Sequence, residues 1–333
     1  MTSIAKQARR AARACGALAA VLVLASCGGG SEQESDFEPT RFIALGDETS
    51  SILDIDGNFN GHKFSVNGTL AGNQTAVDCR NNPIWIQTLA LAYGSYVFPT
   101  CNPAGSAVFD PQNRIRATVG ARADDLAAQI DAQIAESSFQ DSDLVTVLVG
   151  ANDIIAQYQQ YPAVSEPQLI AEVEAAATLV GRQVNRIADA GPRVIIATIP
   201  DVSLTPFAIA EKAAHIDTDR QALIRRLVDA FNTALKLQIE NDGHKIGLVL
   251  LDEAVRQVVK FPGTHGIIDG SHAVCDLSKS QLTPPSTLDC TEFTLVAFGS
   301  GATFLWADDR HFSSGGQAML GDLAVTRALN NPF

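Results

Sequence analysis

The order of apolar and amphipathic segments constrains the fold of this 333-residue chain more than any other feature. Five continuous apolar runs have the length and composition of buried strands. They are Phe42–Leu45, Tyr96–Phe98, Leu144–Val149, Val194–Ile199 and Gly247–Leu251. Strands that are apolar on both sides belong to parallel sheets whose two faces are covered by helices. The sequence therefore predicts an α/β fold built on a parallel sheet of about five strands.

The segments between these runs repeat apolar residues at the spacing of one helix face. Leu126, Ile130 and Ile134, for example, recur four residues apart. Residues 52–78 are instead polar and rich in Gly and Asn, which predicts an inserted hairpin or loop. Ligands bind beyond the carboxyl ends of the strands in such sheets, so polar residues that directly follow an apolar run are candidate site residues. The predicted helices lie within residues 122–136, 166–191, 217–243 and 315–329.

The N-terminal region has the layout of a bacterial secretory signal. Four basic residues precede an apolar stretch, residues 16–24, that is too short for a clean membrane span. The sequence "LASC", ending at Cys27, resembles the lipobox, in which the signal is removed before the Cys and the thiol carries lipid. We predict a signal peptide at 1–26, lipidation of Cys27 and a flexible tether at 27–40. Gly28 rather than Asp after the Cys favours the outer membrane of the cell envelope, and a soluble secreted protein is the alternative.

Charge and length limit the partners and the number of domains. The formal net charge is −13, and removal of residues 1–26, which hold four basic and no acidic residues, makes it −17. Such an acidic chain is repelled by phosphates, and it has no basic cluster, so nucleic acid is excluded as a partner. A hydrophobic content of 46% suffices for a large core, and the length fits a single domain at 41–333.

Four cysteines remain after the signal and the lipidation site are set aside: Cys79, Cys101, Cys275 and Cys290. An even number in an oxidising compartment predicts disulfides, and proximity in sequence pairs the first two and the last two. A metal site is the rival interpretation, but the spacings form no C-x-x-C pair. The chain also lacks a G-x-G-x-x-G motif, a P-loop and a His-rich metal pattern, so we predict neither a metal nor a cofactor.

Two of the polar segments that follow strands carry groups suited to acyl chemistry. The run "FIALGDETSS" stops at Gly46-Asp47 and presents Glu48 on a polar turn. The run "LVGANDI" places the amide of Asn152 just above the sheet edge, where it can donate a hydrogen bond to a developing oxyanion. Taken alone, Asn152 could equally cap the helix that follows.

Two further segments add a base and a backbone donor. Asp308 and His311 lie three apart before the last helix, so the carboxylate can bond one imidazole nitrogen and leave the other as a general base. An exposed Asp and a helix-capping His are the alternative. Gly120 precedes a helix, where its N–H is free to point at an anion.

These segments occur in the order typical of one family, and from Phe42 to the C-terminus the chain resembles the SGNH/GDSL hydrolases. "LGDETSS", "VGARADDLAAQID", "LVGANDI" and "ADDRH" resemble its first, second, third and fifth blocks, and "TIPDVSLTPFA" resembles the segment after its fourth strand. The resemblance implies a flavodoxin-like three-layer α/β/α sandwich and carboxylester hydrolysis. It also implies roles for six residues: an oxyanion hole at Gly120 and Asn152, a base at His311 oriented by Asp308, and support from Asp47 and Asp153.

The chain departs from the family at the nucleophile. The family pattern is Gly-Asp-Ser, and its third residue, the nucleophile, is Glu48 here. Thr49 or Ser50 could take over, or Glu48 could itself attack or activate water. The site could instead be inactive, with the Glu48 carboxylate filling the oxyanion hole and the cleft binding a ligand. In a fourth reading the block is misaligned, and the nucleophile is one of Ser51, Ser313 and Ser314.

Three classes of function follow. The first is an envelope esterase that acts on a short-chain, lipid or acetylated-glycan ester, with Glu48 making turnover weak or absent. The second is an inactive lipoprotein that binds an ester or glycan ligand in the same cleft. The third is a scaffold lipoprotein without a ligand, which leaves the expected convergence of Gly120, Asn152, Asp308 and His311 unexplained.

Overall fold

The computed structural model describes residues 37–95, 97–104 and 108–330. The predicted signal peptide, Cys27 and the part of the predicted tether before residue 37 lie outside the described residues. From Glu38 onward the described residues form one compact unit. None of the helices in the described ranges combines the length and the apolar character that a membrane span requires.

Strands and helices alternate through most of the described chain. The strands are β1 (Arg41–Gly46), β2 (Thr69–Leu70), β3 (Asn73–Val77), β4 (Arg114–Ile115), β5 (Asp143–Leu148), β6 (Arg193–Ala197), β7 (Ile246–Val249), β8 (Asp269–Ala273) and β9 (Phe304–Trp306). The α-helices are α1 (Trp85–Ala92), α2 (Leu126–Ser137), α3 (Ala151–Tyr158), α4 (Glu166–Asp189), α5 (Pro206–Ala214), α6 (Arg220–Gln238), α7 (Leu251–Lys260) and α8 (Ser314–Asn330).

Five strands form the central sheet in the order β4-β1-β5-β6-β7, and every neighbouring pair is parallel. The predicted α/β fold with a parallel sheet of about five strands is thereby confirmed. The strand predicted at Tyr96–Phe98 is wrong: Phe98 forms only an isolated bridge to Cys101, and Tyr96 lies outside the described residues. The short β4 takes the edge position. Its two residues are half-buried and include an Arg, so it produces no apolar run in the sequence.

Helices cover both faces of the sheet because its strands are apolar on both sides. Ile43, Val145 and Val194 belong to one core cluster with residues of α2, α3, α4 and α6. The alternate strand residues Phe42 and Leu144 are equally buried and point to the opposite face, since side chains alternate along a strand. On the remaining side α1 packs against α8. The result is the three-layer α/β/α sandwich that the family resemblance implies.

The predicted insertion at 52–78 contains the antiparallel β2–β3 hairpin. Two disulfides lie close to it, Cys79–Cys101 and Cys275–Cys290, with Cα atoms 5.7 and 6.0 Å apart. Both predicted pairings are confirmed.

A buried lysine fixes the insertion to the first disulfide. The ammonium of Lys63 donates to the carbonyl oxygens of Cys79, Asn81 and Asn82 at 3.1, 2.7 and 2.8 Å. Its side chain is fully buried, and this burial lowers the pKa of Lys63 to about 7. The neighbouring Phe64 is thereby held at the carboxyl edge of the sheet, where its ring meets His311.

Candidate active site

The turn after β1 presents Glu48 above the carboxyl edge of the sheet. Gly46 ends the strand with φ +122°, and an added Cβ would lie 1.9 Å from the carbonyl oxygen of Leu148, so only glycine fits here. Asp47 then caps a single 3-10 turn, Glu48–Ser50, by accepting a hydrogen bond from the Thr49 N–H at 3.0 Å. This tight turn fixes the direction in which the Glu48 side chain leaves the backbone.

Two donors converge on one oxygen of the Glu48 carboxylate. The Gly120 N–H donates to Glu48 Oε2 at 2.8 Å, and Asn152 Nδ2 donates to the same oxygen at 3.1 Å and to Oε1 at 3.3 Å. Gly120 has φ +74°, a conformation that favours glycine and turns its N–H toward the site. A second bond, from Asn152 Nδ2 to the Ala121 carbonyl oxygen at 3.2 Å, fixes the amide. The two residues expected to line the oxyanion hole therefore meet at one anion.

The imidazole of His311, which comes from the C-terminal part of the chain, completes the site. Its Nε2 lies 3.3 Å from Glu48 Oε1, and its Nδ1 lies 2.7 Å from Asp308 Oδ2. The other Asp308 oxygen accepts the backbone N–H groups of Arg310 and His311 at 2.9 and 2.8 Å. The D-x-x-H segment is thus a closed turn in which the carboxylate orients the ring.

The protonation states follow from these contacts. Burial alone would raise the pKa of Glu48, but the hydrogen bond and positive charge of His311, with the Gly120 N–H, lower it to about 2. Burial alone would lower the pKa of His311, but the Asp308 and Glu48 carboxylates raise it to about 10. Asp308 is buried, which opposes ionisation, yet the charge of His311 holds the pKa of its carboxyl below the usual range. At neutral pH the site is an imidazolium between two carboxylates.

Asp47 and Asp153, the two residues expected to support the site, accept hydrogen bonds from backbone N–H groups. Burial, and next the charge of Glu48, raise the pKa of Asp47 to about 8, so much of this capping carboxyl is protonated at neutral pH. Asp153 Oδ2 accepts the Ala123 N–H at 3.0 Å, which anchors the loop that carries Gly120. Burial raises the pKa of Asp153 to about 6.

The hydroxyl residues that follow Glu48, Thr49 and Ser50, differ in their surroundings. Ser50 is fully buried, and its Oγ accepts the indole N–H of Trp85 at 3.0 Å. Thr49 lines the same small cavity as Glu48 and His311. Across the described residues, no hydrogen bond joins either hydroxyl to the His311 ring. Neither residue therefore has the contact that a nucleophile needs with its base.

The other serines considered as nucleophiles are likewise engaged elsewhere. Ser51 donates to the Ala117 carbonyl oxygen at 3.0 Å, and Ser313 donates to the Phe304 carbonyl oxygen. Both are fully buried. Ser314 lines a different cavity, of about 580 Å³, between the 3-10 turn Pro262–His265 and helix α8.

The structure adds residues to which the sequence analysis assigned no role. The Phe64 ring packs on the His311 ring with centroids 5.1 Å apart. Pro200, Val202 and Thr205, from the segment after β6, line the site cavity together with Arg310. That cavity measures only about 20 Å³, enough for about one water molecule. A contact such as that of Phe64 joins distant segments, so local sequence patterns could not have revealed it.

A metal centre finds no support in the described ranges, where no three His, Cys, Asp or Glu side chains are grouped so that they could hold an ion.

No curated protein matches this chain. An acetylxylan esterase from Geobacillus stearothermophilus is similar at 14% identity, with 89% of this chain and 96% of that chain covered and a TM-score of 0.43. A lipolytic G-D-S-L family member from Veillonella parvula is similar at 10% identity, with 86% and 96% covered and a TM-score of 0.38.

The family itself is identified by sequence. The profile of the GDSL-like Lipase/Acylhydrolase family matches residues 42–324, which is most of the chain and includes every site residue described above. This chain therefore belongs to the GDSL-like lipase/acylhydrolase family.

Proposed function

We propose that this protein is a GDSL-family lipoprotein whose hydrolytic site is held inactive by Glu48 and which binds an ester or glycan ligand in the cleft around that site. Membership of the family suggests ester hydrolysis as the ancestral reaction. The observation that carries the proposal is that Glu48 Oε2 accepts hydrogen bonds from both Gly120 N and Asn152 Nδ2. These are the donors that a reacting ester would need for its oxyanion.

The charges of the site support inactivity. A general base works best when its pKa lies near the working pH. His311, with a pKa of about 10, already holds its proton at neutral pH, and Glu48, with a pKa of about 2, is too weak a base to activate water efficiently. The cluster is a satisfied ion network in which neither group is ready to accept a proton.

The space around the site supports the same conclusion. Glu48 is nearly buried, with 9% of its side chain exposed, and the adjoining cavity of about 20 Å³ has no room for an acyl group beside the carboxylate. A ligand can contact the rim of the site, but its carbonyl oxygen cannot reach the Gly120 and Asn152 donors unless the Glu48 side chain moves away from them. Binding without turnover is therefore the function that the geometry favours.

We further propose that the protein is anchored in the bacterial cell envelope through lipidated Cys27, with the outer membrane as its expected location. Support comes from the signal-like sequence before Cys27 and from Gly28 after it. Two disulfides suit an oxidising compartment. The partner in the cleft would be a small-molecule, lipid or glycan ester.

A covalent labelling experiment tests the dormant site. Wild type, Glu48→Ser, Glu48→Ala and Thr49→Ala are incubated with a fluorophosphonate probe and analysed by intact mass. We expect labelling of Glu48→Ser alone, because a serine at this position regains a nucleophile beside His311 and a free oxyanion hole. Glu48→Ala is the matched control, since it opens the hole without supplying a hydroxyl.

Two outcomes would contradict the proposal. Labelling of wild type that disappears in Thr49→Ala would reveal a displaced nucleophile. Wild-type turnover of p-nitrophenyl acetate that Glu48→Gln abolishes would show that Glu48 activates water.

A further inference from the structure

A second cavity lies beside the candidate site, between the end of α3 and the helices α5 and α6. It measures about 280 Å³, close to the lower end of the range for small-molecule pockets. None of the site residues described above lines it. Its walls combine three aromatic rings with polar and charged side chains: Tyr158, Tyr161, Phe207, Glu211, His215 and Arg220. We call this cavity the α5 pocket.

The α5 pocket and the candidate site are lined by residues that neighbour or contact one another. Ile155 lines the site cavity, and Tyr158, one helical turn further along α3, lines the α5 pocket. The Arg310 guanidinium, which lines the site cavity, lies 5.8 Å from the centroid of the Phe207 ring. The Phe207 N–H also donates to the carbonyl oxygen of Asp309 at 2.9 Å. A ligand that occupies the pocket therefore ends next to the turn that carries His311.

The aromatic rings of the pocket are held in place by their neighbours. Tyr158 and Phe207 meet edge to face, with centroids 5.9 Å apart. The Arg220 guanidinium lies 4.6 Å from the centroid of the Tyr161 ring, and the Tyr161 hydroxyl is 3.0 Å from Thr218 Oγ1. Such fixed rings offer apolar surface at little cost in conformational entropy.

The polar groups of the pocket are of mixed sign. The Tyr158 hydroxyl donates to Glu211 Oε2 at 2.5 Å, and His215 Nε2 lies 3.4 Å from the same oxygen. Arg220, with 6% of its side chain exposed, pairs with Asp217, which is half exposed. Carboxylate oxygens only accept hydrogen bonds, guanidinium groups only donate, and tyrosine hydroxyls do both.

This combination selects for an uncharged ligand. A cationic ligand would face the Arg220 guanidinium, and an anionic ligand would face the Glu211 carboxylate. A sugar ring has no charge, carries hydroxyls that both donate and accept, and presents C–H groups that pack on aromatic faces. It satisfies the donors, the acceptors and the apolar walls together.

We propose that the α5 pocket binds a neutral pyranose ring of a glycan, in an orientation that brings a neighbouring substituent to the rim beside His311. This inference rests on the proposed function, because it names the ligand class of the proposed binding cleft. The glycan is recognised by its ring and not by its ester, so binding does not require an open oxyanion hole.

Isothermal titration calorimetry with the full chain tests the proposal. Neutral probes are cellopentaose and penta-N-acetylchitopentaose, and the charged comparisons are a pentamer of galacturonic acid and a pentamer of glucosamine. We expect at least one neutral probe to bind more tightly than either charged one. Tyr161→Ala and Glu211→Gln should each weaken that binding about tenfold or more, because one loses the aromatic wall and the other a charged acceptor.

The controls separate a lost contact from a damaged fold. Phe261→Ala removes a ring that is 49% exposed and outside the pocket, so binding should be unchanged. Glu211→Gln keeps the side-chain shape and an acceptor for the Tyr158 hydroxyl, so it should fold even where Tyr161→Ala does not. Absence of binding by both neutral probes, tighter binding of a charged probe, or binding that both pocket variants leave unchanged would each overturn the proposal.

Failure of this inference is distinguishable from failure of the proposed dormant site. The fluorophosphonate is small and reacts at residue 48, whereas the oligosaccharides report on the α5 pocket. If Glu48→Ser is labelled and no oligosaccharide binds, only the proposal for the α5 pocket is refuted. If an oligosaccharide binds and Glu48→Ser is not labelled, only the proposal of a dormant hydrolytic site is refuted.

Discussion

Replacing Glu48 by Gln removes one of the two negative charges that face His311 while keeping the size of the side chain. In the wild type His311 Nε2 lies 3.3 Å from Glu48 and Nδ1 lies 2.7 Å from Asp308, and together these carboxylates raise the pKa of His311 from 6.5 to about 10. Asp308 makes the larger contribution, so loss of the Glu48 charge lowers the pKa of His311 but leaves it above its usual range.

The sign of the resulting pH dependence follows from linkage. A histidine whose pKa is raised by folding stabilises the fold fully below pH 6.5, and this contribution disappears as the pH rises through the folded pKa. Between pH 8 and 10 the wild type should therefore lose about 2–3 kcal/mol of unfolding free energy through His311, and Glu48→Gln should lose less, because its His311 pKa is lower. Asp47 has a pKa of about 8, so it is half ionised where this window begins, and its remaining titration changes the unfolding free energy by less than about 0.5 kcal/mol.

Urea unfolding of the oxidised chain at pH 8, 9 and 10 measures this difference. The variant His311→Gln is the matched control, because it lacks the titrating ring and should lose none of this free energy. The titration of Lys63, whose pKa is about 7, changes the free energy of unfolding equally in all three proteins, so it cancels in the comparison. Parallel pH profiles for the wild type and both variants would refute the coupling between Glu48 and His311.

Three further predictions concern the scaffold. Gly46→Ala should lower the free energy of unfolding by more than about 3 kcal/mol or prevent folding, because the added Cβ would overlap the Leu148 carbonyl. Gly243→Ala is the control: Gly243 has open space around it, so its substitution should change the free energy of unfolding by less than about 0.5 kcal/mol. Urea titration measures both variants. Lys63→Met should lower the free energy of unfolding by about 3 kcal/mol, because one buried and two part-buried carbonyl oxygens lose their donor. Unchanged stability would show that the ammonium is dispensable. Cys275→Ser should lower the free energy of unfolding by about 3 kcal/mol, because it opens a 15-residue disulfide loop. Reduction should therefore destabilise the wild type more than the variant, which already lacks this disulfide.

Much of the fold was predictable because its signals are local. The runs that became β1, β5, β6 and β7 are apolar without interruption, and the long helices repeat apolar residues at a helical spacing. The edge strand β4 could not be predicted, because its two residues pair only with Ile43 and Ala44 and carry no pattern of their own. The run at Tyr96–Phe98 is apolar for a different reason: Phe98 is buried beside the first disulfide and not in the sheet.

The site shows the same division between local and distant information. Asp308 and His311 lie in one turn, so their contact follows from their spacing. The charge state of the cluster depends on the distance between Glu48 and His311, which are 263 positions apart, and on the burial of both. The Phe64 ring on His311 and the α5 pocket likewise require segments that only the folded chain brings together.

The protonation state of His311 in the wild type tests most directly whether Glu48 keeps the site closed as an ion cluster. Nuclear magnetic resonance of the imidazole nitrogens, with the His311 signals assigned by their loss in His311→Gln, measures it between pH 5 and 11. We expect a ring that is still positively charged at pH 8.5 and that titrates near pH 10, as its two carboxylate neighbours require. A His311 ring that becomes neutral near pH 6.5 would contradict the account, because Glu48 would then leave the base free to act.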